Sequence, residues 1–394
     1  MPTEDQQQKA LTDAVTPVMN PAGERATEPP ADGDHDIALC LSGGGYRAML
    51  FHVGSLWRLN ELGYLPRIDR FSSVSGGSIT AGFLALRWNS LAFDSNGVSP
   101  FFQQNIAEPI RNMARVTIDQ SAILEGLFSR STIGEEVAER YRETLFGDAT
   151  LQDLPDHPRF VINATNVQSR SLFRFSKPYI WDYRVGRIDN PTLLLSLAVA
   201  ASSAFPPVLS PLELRFKESD WAPGSGSDPE AQAAPFKTKV MLTDGGVYDN
   251  LGLETAWKNH KVVLVSDGGG ETPLEPKPKS DWARHSLRVL ELIDYQVRAL
   301  RKRQLIASYI AKQKQGTYWG IRTDIADYAA PNALPAPHAA TLALAGTPTR
   351  LECVPDALQE RIMNWGYAVC DAAVRTHVDT QLPAPARFPY SRGI

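Results

Sequence analysis

The amino-acid sequence predicts an α/β fold, a parallel sheet with helices on its faces, and two observations lead to it. Two strand, glycine-turn, helix units stand in immediate succession near the start of the chain, an order that parallel strands with crossover helices require. The composition, with 43% hydrophobic and 21% charged residues, is that of an ordinary globular protein with a substantial core.

The first unit opens with Ile37-Ala38-Leu39-Cys40-Leu41, an apolar run of strand length that stops at Ser42 and three glycines. Leu50, Val53, Leu56 and Leu59 then recur at helical spacing, with Gly63 placed as a C-terminal cap. The second unit reads as a strand over Ile68 to Val74, a sharp turn at Ser75-Gly76-Gly77 and a helix over Ile79 to Trp88. Residues 101 to 147 read as largely helical. Strands are expected at Phe160 to Ala164 and Ser171 to Phe175, and a helix at Pro191 to Ala201. A Gly, Ser, Pro, Asp and Ala-rich flexible loop follows at about 217 to 237. Val240 to Thr243 and Val262 to Ser266 are short apolar strands, each running into Asp-Gly-Gly. A long helix is expected over Arg284 to Lys314, a strand over Tyr318 to Arg322, an Ala/Pro-rich loop over 326 to 348 and a closing helix over Pro355 to Val378.

Bulk properties narrow the function classes. The formal net charge of −4 gives no general pull toward nucleic acid. Cys40, Cys353 and Cys370 are odd in number, far apart and without CxxC spacing, which suits a reducing, cytoplasmic setting and speaks against a disulfide framework or a zinc site. The first 35 residues lack an apolar core segment and read as a disordered acidic arm, not a secretory signal. No apolar run reaches membrane-spanning length, so membrane contact is expected to be peripheral.

Three segments carry candidate chemistry. Ser75, in Ser73-Val74-Ser75-Gly76-Gly77, stands between strand and helix, where a nucleophile elbow projects its hydroxyl out of the sheet. Ser73 departs from the first glycine of GxSxG. Gly43-Gly44-Gly45-Tyr46-Arg47 presents backbone N–H groups at a helix N-terminus, suited to a phosphate or to an oxyanion. The Gly-Lys-Ser/Thr ending of a P-loop is missing, and Ala48 occupies the third glycine position of a dinucleotide fingerprint, so the oxyanion reading is preferred over both and over a plain packing turn. A serine needs a base. None of the seven histidines suggests a triad, and His52 lies within the first helix. Asp244 terminates an apolar strand and is followed by glycines that leave its carboxylate room, so a Ser-Asp dyad is expected. Parallel strands ending at one sheet edge would bring Ser75, the glycines and Asp244 together.

In this order, Gly43-Gly44-Gly45-Tyr46-Arg47, Ser73-Val74-Ser75-Gly76-Gly77 and Asp244-Gly245-Gly246 resemble the three motifs of the patatin-like phospholipase family. Ala164-Thr165-Asn166 and Ala200-Ala201-Ser202-Ser203-Ala204-Phe205-Pro206-Pro207 resemble its linking segments, and the likeness covers roughly residues 36 to 270. The resemblance implies a three-layer sandwich with a mostly parallel central sheet and helices on both faces. It also implies Ser75 as nucleophile, Asp244 as its partner, Gly43, Gly44 and Gly45 as oxyanion hole, and an acyl-ester substrate such as a phospholipid or lysophospholipid, with no metal or organic cofactor. Asp267-Gly268-Gly269 is a competitor for the aspartate motif. Asp244 is favoured because Val247-Tyr248-Asp249-Asn250-Leu251-Gly252 resembles the family's continuation. Two other function classes remain: a regulated effector that needs an activating ligand or partner, and a non-catalytic binding module.

The expected organisation is therefore an arm over 1–35, a catalytic domain over 36–378 with a helical insertion near 101–147 and a helical extension near 280–378, and a tail over 379–394. Three side readings are open. Arg47 either meets a phosphate head group or anchors its turn. Phe101, Phe102, Leu127 and Phe128 form a lid or pack as core. The stretch 284–314, with eight Lys/Arg against Glu291 and Asp294, is either a solvated face or one attracted to anionic lipid.

Overall fold

In a computed structural model of the chain, residues 36–118, 133–207, 209–270 and 274–394 are described. The acidic arm and the insertion residues Leu127 and Phe128 fall outside the described residues. Strand β1 (Ile37–Leu41) leads into helix α1 (Gly45–Glu61), and β2 (Arg70–Val74) into α2 (Gly76–Arg87). The insertion contributes α3 (Glu108–Met113) and α4 (Ile133–Tyr141), each continuous with a single π-type turn. Next come β3 (Arg159–Asn166), β4 (Ser171–Phe175), β5 (Tyr179–Asp182), β6 (Gly186–Asp189), α5 (Leu195–Ser202), β7 (Leu212–Arg215) and β8 (Lys239–Asp244). The short helices α6 (Gly246–Asp249) and α7 (Leu253–Trp257) precede β9 (Val262–Asp267). The chain closes with α8 (Trp282–Ile310), β10 (Gln315–Gly320), α9 (His338–Ala345) and α10 (Asp356–His377).

One ten-stranded sheet runs β10-β9-β1-β2-β3-β4-β5-β6, with β8 also on β3 and β7 on β8. The pairings β10–β9, β9–β1, β1–β2 and β2–β3 are parallel. The five others are antiparallel. The sheet is thus mixed, and its parallel half carries the two units legible in the sequence. β4, β5 and β6 are joined by connections too short for a crossover, which forces them antiparallel. β5, β6 and β7 were not foreseen: at four residues each, with polar residues interspersed, they carry too little pattern and exist by pairing with neighbours.

Helices cover both faces, as the alternation of β1 requires. Leu39 and Leu41 join the larger core with Leu50, Phe71 and Trp365, while Ala38 and Cys40 join a smaller one with Val263, Leu253 and Leu305. Phe102 is core, its ring 5.8 Å from that of Trp57, whereas Phe101 is exposed. The three cysteines are free.

Two expectations change. Within the presumed loop 326–348 lies α9, whose His-Ala-Ala-Thr-Leu-Ala-Leu-Ala stretch has high helix propensity and starts directly after Pro337. The 217–237 segment has only short helical turns at Glu218–Asp220 and Pro229–Ala231, yet it is anchored. Trp221 is buried and donates to the Lys237 carbonyl at 2.9 Å, and Arg184 pairs with Asp228 at 2.6 Å. The tail also packs inward, with Asn364 donating to the carbonyls of Tyr390 and Gly393.

The tightest helix–helix contact is between α1 and α10, which share one face of the sheet. A Cβ on Gly54 would stand 1.9 Å from the Met363 carbonyl oxygen, and one on Gly366 2.0 Å from that of Phe51. Gly54→Ala and Gly366→Ala are each expected to lower unfolding free energy by about 1–3 kcal/mol through overpacking, read as a shift in urea midpoint at unchanged slope.

Candidate active site

The turn after β2 is strained. Ser75 has φ 51° and ψ −121°, a conformation costly for a residue with a Cβ. Its neighbours hold it there. The Ser75 N–H donates to Ser202 Oγ at 3.0 Å, and Ser202 in turn donates to the Asn163 carbonyl at 2.6 Å. Ser73, the departure from the GxSxG pattern, is buried within β2 and donates to the Val161 carbonyl at 3.3 Å, so its hydroxyl is satisfied. Gly76 and Gly77 answer to close backbone approach. A Cβ on Gly76 would stand 2.1 Å from the Gly45 carbonyl oxygen and 2.9 Å from its nitrogen, and one on Gly77 2.4 Å from the Leu41 carbonyl oxygen. The serine turn and the glycine turn are therefore packed backbone to backbone.

Within the glycine run the three residues differ. The Gly43 N–H donates to the Asn250 carbonyl at 3.0 Å and is engaged. Among the described residues the Gly44 and Gly45 N–H groups have no acceptor, as expected at the start of α1. Gly44, at φ 142°, adopts a backbone that excludes side chains. A Cβ on Gly45 would meet the Arg350 backbone, whose carbonyl accepts from the Tyr46 N–H at 3.0 Å.

Asp244 reaches this point by a route unlike the one expected. β8 is antiparallel to β3, with Asp244 opposite Ala164, whereas β2 is parallel to β3, with Val74 opposite Asn163. β2 and β8 therefore lie along the same flank of β3 and meet at their C-terminal ends. Consecutive residues of β3 bring the ends of the two strands together, which a shared parallel edge would not have done.

The two Asp-Gly-Gly aspartates are electrostatic opposites. Asp244 is 2% exposed, and burial raises its pKa to about 7 against the opposing pull of the Gly246 N–H and the Ser75 hydroxyl. Oδ1 accepts from Gly246 N at 2.7 Å, and Oδ2 is buried without a formed hydrogen bond among the described residues. The Ser75 hydroxyl thus sits close enough to favour the carboxylate without bonding geometry, a looseness common before substrate binds. Burial also pushes Asp267 up, but Arg298, Lys302, the Tyr318 hydroxyl and the Gly269 N–H together hold it below the usual carboxylate range. Tyr318 donates to its Oδ2 at 2.7 Å and Gly269 to its Oδ1 at 2.9 Å. Asp267 is locked in place; Asp244 retains a free oxygen.

His52 is buried between Ser266 Oγ and the Ser42 carbonyl, each at 2.9 Å, and burial lowers its pKa to about 4, so it stays neutral. Arg47 is buried too. It donates to the carbonyls of Gly268 at 3.1 Å and Thr347, and to Thr349 Oγ1 at 2.8 Å, which ties the glycine turn to residues 268 and 347–349. This geometry is that of a turn anchor. Sequence reasoning missed Asn163 and the 347–350 loop as supports of the site; Ser202 lay within a linking segment already singled out. No group of three or more His, Cys, Asp or Glu side chains among the described residues is arranged to hold a metal ion.

The sequence model of the family described as patatin-like phospholipase matches residues 39–257, more than half of the chain. No curated protein matches. Among solved structures, the fold is similar to that of human GIVD cytosolic phospholipase A2, with a TM-score of 0.51 at 14% identity over 93% of this chain and 61% of that one. A second structure of the human protein, in complex with methyl gamma-linolenyl fluorophosphonate, has a TM-score of 0.47 at 15% identity over 92% and 60%. VipD from Legionella pneumophila has 0.35 at 14% identity over 86% and 66%. The chain spans less than two thirds of the human protein's length, and at these identities the likeness speaks to the fold alone.

The raised Asp244 value has a stability consequence with a definite sign. The folded state holds this proton more tightly than the unfolded chain, so the ionised carboxylate costs nothing below pH ~4. The cost grows through the interval up to the folded value of about 7. Asp244→Asn is therefore expected to be more stable than wild type at pH 8, by up to roughly 4 kcal/mol. The gap should narrow as pH falls below about 7 and close toward pH ~4, as read from denaturant unfolding at each pH.

Proposed function

The chain belongs to the patatin-like phospholipase family, and on that premise we propose that it is a serine acyl hydrolase acting on carboxylic esters of phospholipids or lysophospholipids. The observation that carries this reading is the meeting of β2 and β8 on β3, which sets Ser75 beside a desolvated Asp244.

In the proposed reaction Asp244 accepts the Ser75 proton as Oγ attacks the ester carbonyl. The Gly44 and Gly45 N–H groups, which have no acceptor among the described residues, stabilise the negative charge on the carbonyl oxygen. Asp244 then returns the proton to the departing alcohol, leaving an acyl group on Ser75. Water attacks the acyl-enzyme as Asp244 takes its proton, and Asp244 hands that proton to Ser75 Oγ as the serine departs and the carboxylic acid is released. An aspartate near its ordinary pKa is a weak base at neutral pH, and the rise to about 7 brings Asp244 into the working range. Gly43 supports the turn through Asn250 and donates nothing to the oxyanion.

Ser75→Ala is expected to abolish fluorophosphonate labelling and to cut hydrolysis of a nitrophenyl butyrate ester by at least about a thousandfold at unchanged unfolding midpoint. Undiminished labelling would remove Ser75 from the mechanism. Because the base must be ionised, kcat/KM should fall as pH drops below a value near 7; an acid limb at an ordinary carboxylate value instead would exclude a desolvated Asp244 as base.

A further inference from the structure

Among the described helices α8 stands apart. Ten of the seventeen exposed large apolar side chains among the described residues lie on it. Its inward side is set by Arg298, Arg301, Leu305 and Ser308, spaced three and four apart. Leu305 and Ser308 are buried, Arg301 donates to the Tyr248 carbonyl at 3.2 Å, and Arg298 lies 3.7 Å from Asp267. Trp282, Val289, Ile293 and Leu300, at steps of seven, four and seven, share one stripe that lies about 120° round the helix from the centre of that side. Trp282 is 84% exposed and Leu300 58%.

The charges around this stripe are one-sided. Glu275, Asp281, Glu291 and Asp294 are each ion-paired, with Arg288, Arg284, Arg288 and Arg298 respectively. Lys277, Lys279, Arg303 and Lys312 are exposed and have no side-chain partner among the described residues. The stripe carries no acid, and Arg303 lies on it. A second copy laid on the same stripe would set cation against cation, whereas a negatively charged surface would meet both the apolar side chains and the free cations. No helix among the described residues is long and apolar enough to cross a membrane, which leaves the orientation of an amphipathic helix lying in an interface.

We propose that the outward face of α8 docks the protein on an anionic lipid surface. The proposal deepens the acyl-hydrolase reading by naming how the enzyme meets its substrate. The inward side of the same helix reaches both Asp-Gly-Gly turns, through Arg298 at Asp267 and Arg301 at Tyr248 of α6, so the docking helix packs on the turns of the site.

The test is co-sedimentation of the full chain with phosphatidylcholine vesicles, with and without phosphatidylglycerol. Wild type should bind the anionic vesicles and lose binding in high salt. The variant Trp282→Ser, Ile293→Ser, Leu300→Ser should bind about tenfold more weakly or worse. Replacing Lys277, Lys279 and Arg303 by Gln should cost roughly a hundredfold, at about one cation's attraction each. Both variants should keep the wild-type unfolding midpoint and the rate on soluble nitrophenyl butyrate. Equal binding to neutral and anionic vesicles, or unchanged binding by the variants, overturns the proposal. So does a lipid-free dimer, seen by light scattering, that the Ser variant converts to monomer. Absence of ester hydrolysis in every variant, with vesicle binding as described, would instead overturn the hydrolase reading and leave the docking face standing.

Discussion

The candidate site depends on β3 acting as a common template. Its first half pairs with β2 and its second half with β8 along the same flank, so two strands that run toward one another stop at consecutive residues. Backbone hydrogen bonds set that register, and no side chain has to reach across space to bring the strand ends together. Asn163, at the junction, reinforces it by donating to the Ser73 carbonyl at 3.0 Å while its own carbonyl accepts from Ser202. The glycines of the serine turn, and Gly45 opposite them, remove the Cβ atoms that would push the two turns apart. Strain at Ser75 is tolerable because the surrounding hydrogen bonds and close contacts leave the turn no alternative.

The two Asp-Gly-Gly sequences illustrate how little a motif decides without its surroundings. Both follow buried strands and both aspartates accept from the N–H two residues on. Asp267 faces Arg298 and Lys302 and the Tyr318 hydroxyl, which favour its charge and occupy its oxygens. Among the described residues Asp244 has no cation of comparable influence; its burial dominates, and Oδ2 has no hydrogen-bond partner. A carboxylate of the first kind braces a fold, while one of the second kind has a proton affinity suited to exchange near neutral pH.

Segments beyond the family match complete the architecture. β9 and β10 extend the parallel half of the sheet, and α10 seals α1 by glycine-to-backbone contact. The 347–350 loop clamps the glycine turn through Tyr46 and Arg47. These residues follow 257, the end of the match, so support for the glycine turn comes from a part of the chain outside the three family-like motifs.

Local pattern by itself determined the two strand-turn-helix units and the glycine run at a helix start, because each rests on residue type and spacing within a few positions; it offered Ser75 and Asp244 only as candidates, the latter preferred to Asp267 by the family resemblance of residues 247–252. It placed α10 to within a residue, since a long amphipathic period is hard to mistake. It did not reveal β5, β6 and β7, which are too short to show a period, or α9, hidden among prolines. It brought Ser75 and Asp244 together for the wrong reason, by a shared parallel edge. Only the tertiary structure decided that β8 runs antiparallel and meets β2 end to end, that among the described residues the Gly43 N–H has an acceptor while those of Gly44 and Gly45 have none, and that Arg47 anchors its turn. Each of these turns on pairings and burial between residues tens to hundreds of positions apart, and no spacing along the chain encodes them.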